Sequence, residues 1–215
     1  MPVVSFSSFL SGAGDSGVLL PIALISAALL WLWHSGRAAW LLLRSVLLAI
    51  VGVSFLKVYF LSCGAHWQAD LISPSGHACL STAVFGSLGI VAATGRGVYT
   101  RAGIGALAAL LVGIIASSRV VIGVHTWTEV LVGLAVGGGA LLSFAWSYAR
   151  TAPPRIDLMT FGVALLATMM LTFGIRLPAE SIIRHFARNI GDKCDLVSIE
   201  RAVRVQVGLP VGAPP

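Results

Sequence analysis

The chain alternates long apolar runs with short polar connections. Six runs stand out, from about Gly17 to Trp33, Ala39 to Leu61, Ala78 to Thr94, Ala102 to Ser117, Val130 to Tyr148 and Leu158 to Ile175. The second is 23 residues long and the others lie at or near the lower limit of the roughly 17–25 residues a helix needs to cross hydrocarbon. The pattern predicts an all-α, polytopic membrane helix bundle of six spans. Pro21 falls in the first turn or two of the first run, where a missing N–H matters little. The fourth run is rich in Gly and Ala, which predicts close packing inside the bundle. Gly133 and Gly137 in the fifth give a G-x-x-x-G spacing, read as a contact within the bundle in preference to a homodimer seam.

After Ile175 the pattern changes. Residues 1–175 read as one membrane domain, and 176–215 as a polar tail carrying both charge signs. Ile182, Ile183, Phe186 and Ile190 form one stripe of a short amphipathic helix ended by Gly191, expected to lie on the membrane surface or on the domain. Val203, Val205 and Val207 alternate as in a strand, without an evident partner.

Composition agrees with the membrane reading: 57% of the 215 residues are hydrophobic and only 10% charged, which excludes an ordinary soluble domain. The formal charge of +6 invites a nucleic-acid reading, but no basic cluster with interleaved aromatics exists, so no nucleic-acid partner is expected. Topology accounts for the excess. Arg37, Arg44, Arg96, Arg101, Arg150 and Arg155 sit in or beside the connections after the first, third and fifth runs, which the positive-inside rule makes cytoplasmic. The connections after the second and fourth runs then face outward, with the N-terminus. The start lacks a basic region and a cleavage site, so the first run is expected to stay in the membrane. Cys63, Cys79 and Cys194 show no metal-ligand spacing and read as free thiols.

The outward connections hold the residues that could carry chemistry. One contains Pro74-Ser75-Gly76-His77; the other contains Ser118-Arg119, His125 and Glu129. His125 and Glu129 are four apart, so on one helical turn the acid can hold a ring nitrogen of the histidine. Lys57, near the outward end of the second run, must snorkel or face a polar cavity. Two membrane-edge histidines, an arginine and a Ser-Gly turn suit phosphoryl chemistry; spacing alone leaves open which histidine is nucleophile and which is acid.

These two segments resemble the second and third signatures of the type 2 phosphatidic acid phosphatase superfamily, P-S-G-H and S-R-x5-H-x3-D. The resemblance implies that His125, oriented by Glu129, is the nucleophile that forms a phosphohistidine, and that His77 is the acid for the departing alcohol. Arg119, Lys57 and the backbone of Ser75 and Gly76 would bind phosphate, with no metal or other cofactor. The implied partners are a membrane lipid substrate and the bilayer itself. Two departures stand out. The family's first signature reads K-x6-R-P, but counting from Lys57 the matching positions are Gly64 and Ala65. The last acid is Glu129 where the family has Asp. The expectation is an integral membrane phosphatase acting on a lipid phosphate or polyprenyl diphosphate at the outer face. A lipid phosphotransferase and a non-enzymatic membrane scaffold or transport partner are the alternatives.

Overall fold

The computed structural model describes residues 12–63, 71–151, 157–175 and 177–190. The side chain of Cys63, residues Gly64 to Asp70, Arg155, Gly191, Cys194 and the 203–207 alternation lie outside the described residues. The regular elements among the described residues are all helices, without strands: α1 (Ser16–Trp33), α2 (Gly36–Cys63), α3 (Gly76–Ala93), α4 (Val98–Val121), α5 (Trp127–Tyr148), α6 (Leu158–Thr172) and α7 (179–190). The first five are long and apolar enough to span a membrane. At 15 residues α6 is shorter than the run that predicted it, because Phe173 turns extended and Gly174 takes a positive φ of 88°. Apolar helices on this scale support an integral membrane protein.

The helix starts follow local chemistry. Asp15 caps α1, its carboxylate accepting the Gly17 N–H at 2.9 Å. Ser75 caps α3, and Asp157 caps α6 through the Thr160 N–H at 2.9 Å. Such caps supply acceptors for N–H groups that the first turn leaves without partners.

At the centre, α3 packs against α1, α2, α4 and α5, while α6 packs against α1. Gly133 and Gly137 set the α3–α5 approach: a Cβ on either would strike the carbonyl oxygen of Ser75 or Cys79 respectively. The G-x-x-x-G spacing is therefore a seam within the bundle. Arg44 joins α2 to α5, donating from Nη2 to Ser147 Oγ at 2.8 Å and to Ser143 Oγ at 3.2 Å. A buried set including Leu19, Ile22, Leu42, Val84 and Phe144 fills the core, and Leu47, Val51, Phe55, Leu107 and Leu142 point outward as a membrane-facing surface should.

Two expectations change. The small residues of α4 do not bring it inside: only Ile115, Ala116 and Ser118 are buried, and a Cβ on Gly103, Gly105 or Gly113 would meet nothing within 4 Å. Small side chains permit close approach but do not demand it. Second, α4 runs four residues beyond the expected end at Ser117, so Ser118 and Arg119 lie on its last turn and not in a loop.

Candidate active site

The helix ends gather the signature residues at one end of the bundle. Lys57 comes from the late turns of α2, Gly76 and His77 from the first turn of α3, Arg119 from the last turn of α4, and Glu129 from the first turn of α5. His125 lies in the connection between α4 and α5. There the chain reverses tightly: Gly123 takes a φ of 73°, a region that favours glycine, and the N–H groups of Val124 and His125 both donate to the Arg119 carbonyl at 3.2 Å. This turn ties the arginine's backbone to the histidine's. All six residues line one cavity of about 760 Å³.

Glu129 is the hub. Its Oε2 lies 2.7 Å from His125 Nδ1 and accepts the Thr126 N–H at 3.2 Å. Its Oε1 accepts the N–H groups of Ile72 and Ser73 at 3.0 and 2.7 Å. Thr126 Oγ1 takes the Glu129 N–H at 3.2 Å, completing a capping box. One carboxylate thus orients His125, starts α5 and clamps the strap that leads into Pro74-Ser75-Gly76-His77. The Ser75 N–H donates to the Glu129 carbonyl at 3.0 Å, a second link between the two segments.

That link revises one expectation. Ser75 was expected to offer its N–H to phosphate, but the amide is engaged by Glu129 and the side chain caps α3 through the Ala78 N–H. Gly76 lines the cavity and Ser75 does not. Ser75 shapes the turn that carries His77.

Burial holds the His125 ring below the ordinary histidine range, with Lys57 and Arg119 adding to the effect; the Glu129 hydrogen bond and charge oppose it without prevailing. Near neutral pH the imidazole is uncharged. With Nδ1 donating to the carboxylate, the lone pair resides on Nε2.

Three further groups enter from elements the motifs do not cover. Lys57, 4% exposed, does not snorkel to solvent; its Nζ pairs with Glu180 Oε2 of α7 at 2.6 Å. Glu180 also receives Arg184 Nε at 3.3 Å, and the pair of charges keeps its carboxyl ionised below the usual range against the opposing effect of burial. Asp15 of α1 places Oδ2 3.7 Å from His77 Nε2. The amphipathic stripe of α7 was legible in sequence, but nothing in the spacing tied Glu180 to Lys57. Thr126, by contrast, had a signal: T-x-x-E ahead of an apolar run is a capping box.

Part of the chain resembles known proteins. Residues 71–153 match the model of the PAP2 superfamily, a segment that holds His77, Arg119, His125 and Glu129. The chain is also 29% identical over 185 residues, 83% of its length and 88% of the other's, to an uncharacterized 22.5 kDa protein of the cps region in Klebsiella pneumoniae. No solved structure matches. The family match supports a phosphatase-type membrane enzyme, a phosphoric ester hydrolase in the general sense. Residues 71–153 are thus similar to the PAP2 superfamily, and α2, α7 and the cap of α1 add Lys57, Glu180 and Asp15 around the same cavity.

Proposed function

We propose that this protein is an integral membrane phosphatase that hydrolyses a lipid phosphate or polyprenyl diphosphate through a phosphohistidine on His125. The observation that carries the reading is the convergence on one cavity of His125, locked by Glu129 through Nδ1, with His77, Lys57 and Arg119. A free Nε2 lone pair, two cations and a second imidazole are what in-line phosphoryl transfer asks of a protein. Lys57, Arg119 and the Gly76 N–H at the start of α3 neutralise the phosphoryl oxygens.

In the first step His125 Nε2 bonds to phosphorus as the bond from phosphorus to the lipid oxygen breaks. His77 gives its proton to that oxygen, releasing an alcohol, or a monophosphate if the substrate is a diphosphate. In the second step water attacks phosphorus and passes a proton to His77, and the P–N electron pair returns to His125. Inorganic phosphate leaves and both histidines are restored. The residues themselves supply the charge neutralisation, so the reaction needs no metal.

An apolar substrate is supported by the cavity walls, where Leu20, Ile50, Val53, Leu80 and Val124 surround the polar groups. The headgroup reaches the cations while the chains stay in lipid. Outward orientation is supported by Arg37, Arg96, Arg101 and Arg150, which belong to the opposite end of the bundle.

The test is phosphate release from a panel of phosphatidic acid, phosphatidylglycerol phosphate and polyprenyl diphosphate by purified protein in detergent. Release that is blocked by vanadate and indifferent to chelator is the expected result. Transfer to a second lipid without free phosphate would make it a phosphotransferase. Inertness toward every substrate would leave a scaffold.

A further inference from the structure

We infer that Asp15 acts through His77, as the counter-charge that favours the imidazolium from which a proton passes to the leaving oxygen. The inference rests on the phosphatase reading above and adds a cavity-lining residue from outside the segment that matches the PAP2 superfamily, 56 positions before its start at residue 71.

Asp15 divides its two oxygens between two tasks. Oδ1 accepts the Gly17 N–H at 2.9 Å and caps α1, whereas Oδ2 lies 3.7 Å from His77 Nε2. Both side chains are mostly buried, 22% and 23% exposed, so the pair is only partly screened by solvent. Capping does not explain the choice of residue, because Asn and Ser cap as well as Asp and carry no charge. Asp15 also lines the cavity with the catalytic candidates.

The other charged neighbours make a counter-charge necessary. Lys57 of α2, Arg119 of α4 and His125 of the following turn all act electrostatically on His77, and each is a cation or can become one. Glu129 of α5 is bonded to His125, and Glu180 of α7 to Lys57 and Arg184. Among the described residues, Asp15 is the acid within ion-pair distance of His77. At 3.7 Å the separation exceeds a hydrogen bond. The carboxylate therefore favours the imidazolium without taking its proton. In the first step that proton passes from His77 to the lipid oxygen, and in the second His77 regains one from water; Asp15 forms no covalent bond in either step.

The experiment compares Asp15→Asn, Asp15→Ser and His77→Ala on two substrates in detergent: a short-chain phosphatidic acid, whose alcohol needs a proton to leave, and nitrophenyl phosphate, whose leaving group does not. Asn and Ser retain the cap, and an unchanged melting temperature verifies this. Both should lower turnover of phosphatidic acid on the order of tenfold, a part of the ~10²–10⁴-fold that a general acid supplies. Nitrophenyl phosphate turnover should stay within about twofold, since no acid catalysis is at stake. In a His77→Ala background, Asp15→Asn should cost nothing more. Wild-type turnover of both substrates by the Asn and Ser variants, or equal loss on both, overturns the inference while a leaving-group-dependent His77→Ala still upholds the acid assignment. If His77→Ala itself loses both substrates equally, the acid assignment falls and Asp15's role with it. A wild-type chain that releases phosphate from neither overturns the phosphatase reading and this inference together.

Discussion

Glu129 bears more on this site than any other single residue, and its extra methylene relative to the family's Asp has a use. The carboxylate reaches the Ile72 and Ser73 N–H groups with one oxygen while the other holds His125 and the Thr126 N–H. Glu129→Gln replaces one oxygen by a donor, which sets an NH₂ against either His125 Nδ1–H or two backbone N–H groups. Turnover should fall on the order of 10²–10⁴-fold, as for loss of an acid–base partner. Glu129→Asp keeps the charge but shortens the reach, so an intermediate rate is expected from the same assay. The pH profile offers a separate check. Since burial holds the His125 ring below the ordinary range, the neutral nucleophile persists into mildly acidic solution, and the acid limb of the rate should lie below the usual histidine value of about 6.5. Glu129 opposes that depression, so Glu129→Gln should move the limb further toward acid even as the maximum rate falls. An acid limb at or above the usual histidine value would remove His125 as the titrating nucleophile. The His125–Glu129 pair was legible from its i, i+4 spacing. The clamp on Ile72 and Ser73 was not, because it joins residues 56 and 57 positions apart through tertiary packing.

Among the elements, α3 and α5 determine whether the two signature segments meet. Their closeness depends on Gly133 and Gly137, which lie against the carbonyls of Ser75 and Cys79. The backbone cannot yield as a flexible side chain can. Gly133→Ala should therefore destabilise by about 1–3 kcal/mol, the usual range for overpacking. It should also reduce turnover, since the carbonyl displaced belongs to the residue just before Gly76 and His77. Gly138→Ala on the same helix meets nothing within 4 Å and should leave both properties unchanged. Thermal unfolding and phosphate release of the two variants side by side would decide the matter; equal behaviour would mean that the glycines do not set the approach. The G-x-x-x-G reading anticipated this seam. Composition misplaced α4, whose Gly103, Gly105 and Gly113 look outward, because a run of small apolar residues reads alike whether it faces helix or lipid. Helix ends were the other weak point: α4 carries Arg119 on its last turn, where hydropathy had ended the span at Ser117.

At the scale of the whole molecule, the cavity is lined on one side by α7, a helix that lies beyond the segment matching the PAP2 superfamily. Its apolar stripe could be read from sequence, but its docking is fixed by the 2.6 Å pair between buried Lys57 and half-exposed Glu180, 123 residues apart. The pair has two opposed consequences. For stability, the folded-state pKa of Glu180 is depressed chiefly by Lys57 against the cost of burial, so its contribution is present above the unfolded carboxyl range and is lost as pH falls through the folded value. Glu180→Gln should lower the melting temperature near neutral pH and match wild type in acid. Solvent screening of an acid 46% exposed keeps the loss within about 1 kcal/mol, or roughly 2–4 °C for a chain of this length. For anion binding the sign reverses. Glu180 occupies the ammonium that the proposed mechanism assigns to phosphate, so removing its charge relieves both competition and repulsion. Vanadate should inhibit the Gln variant at lower concentration than it inhibits wild type. A variant that melts earlier yet binds vanadate no better would mean that Lys57 serves α7 alone, and the phosphate would then be held by Arg119 and the start of α3 without it.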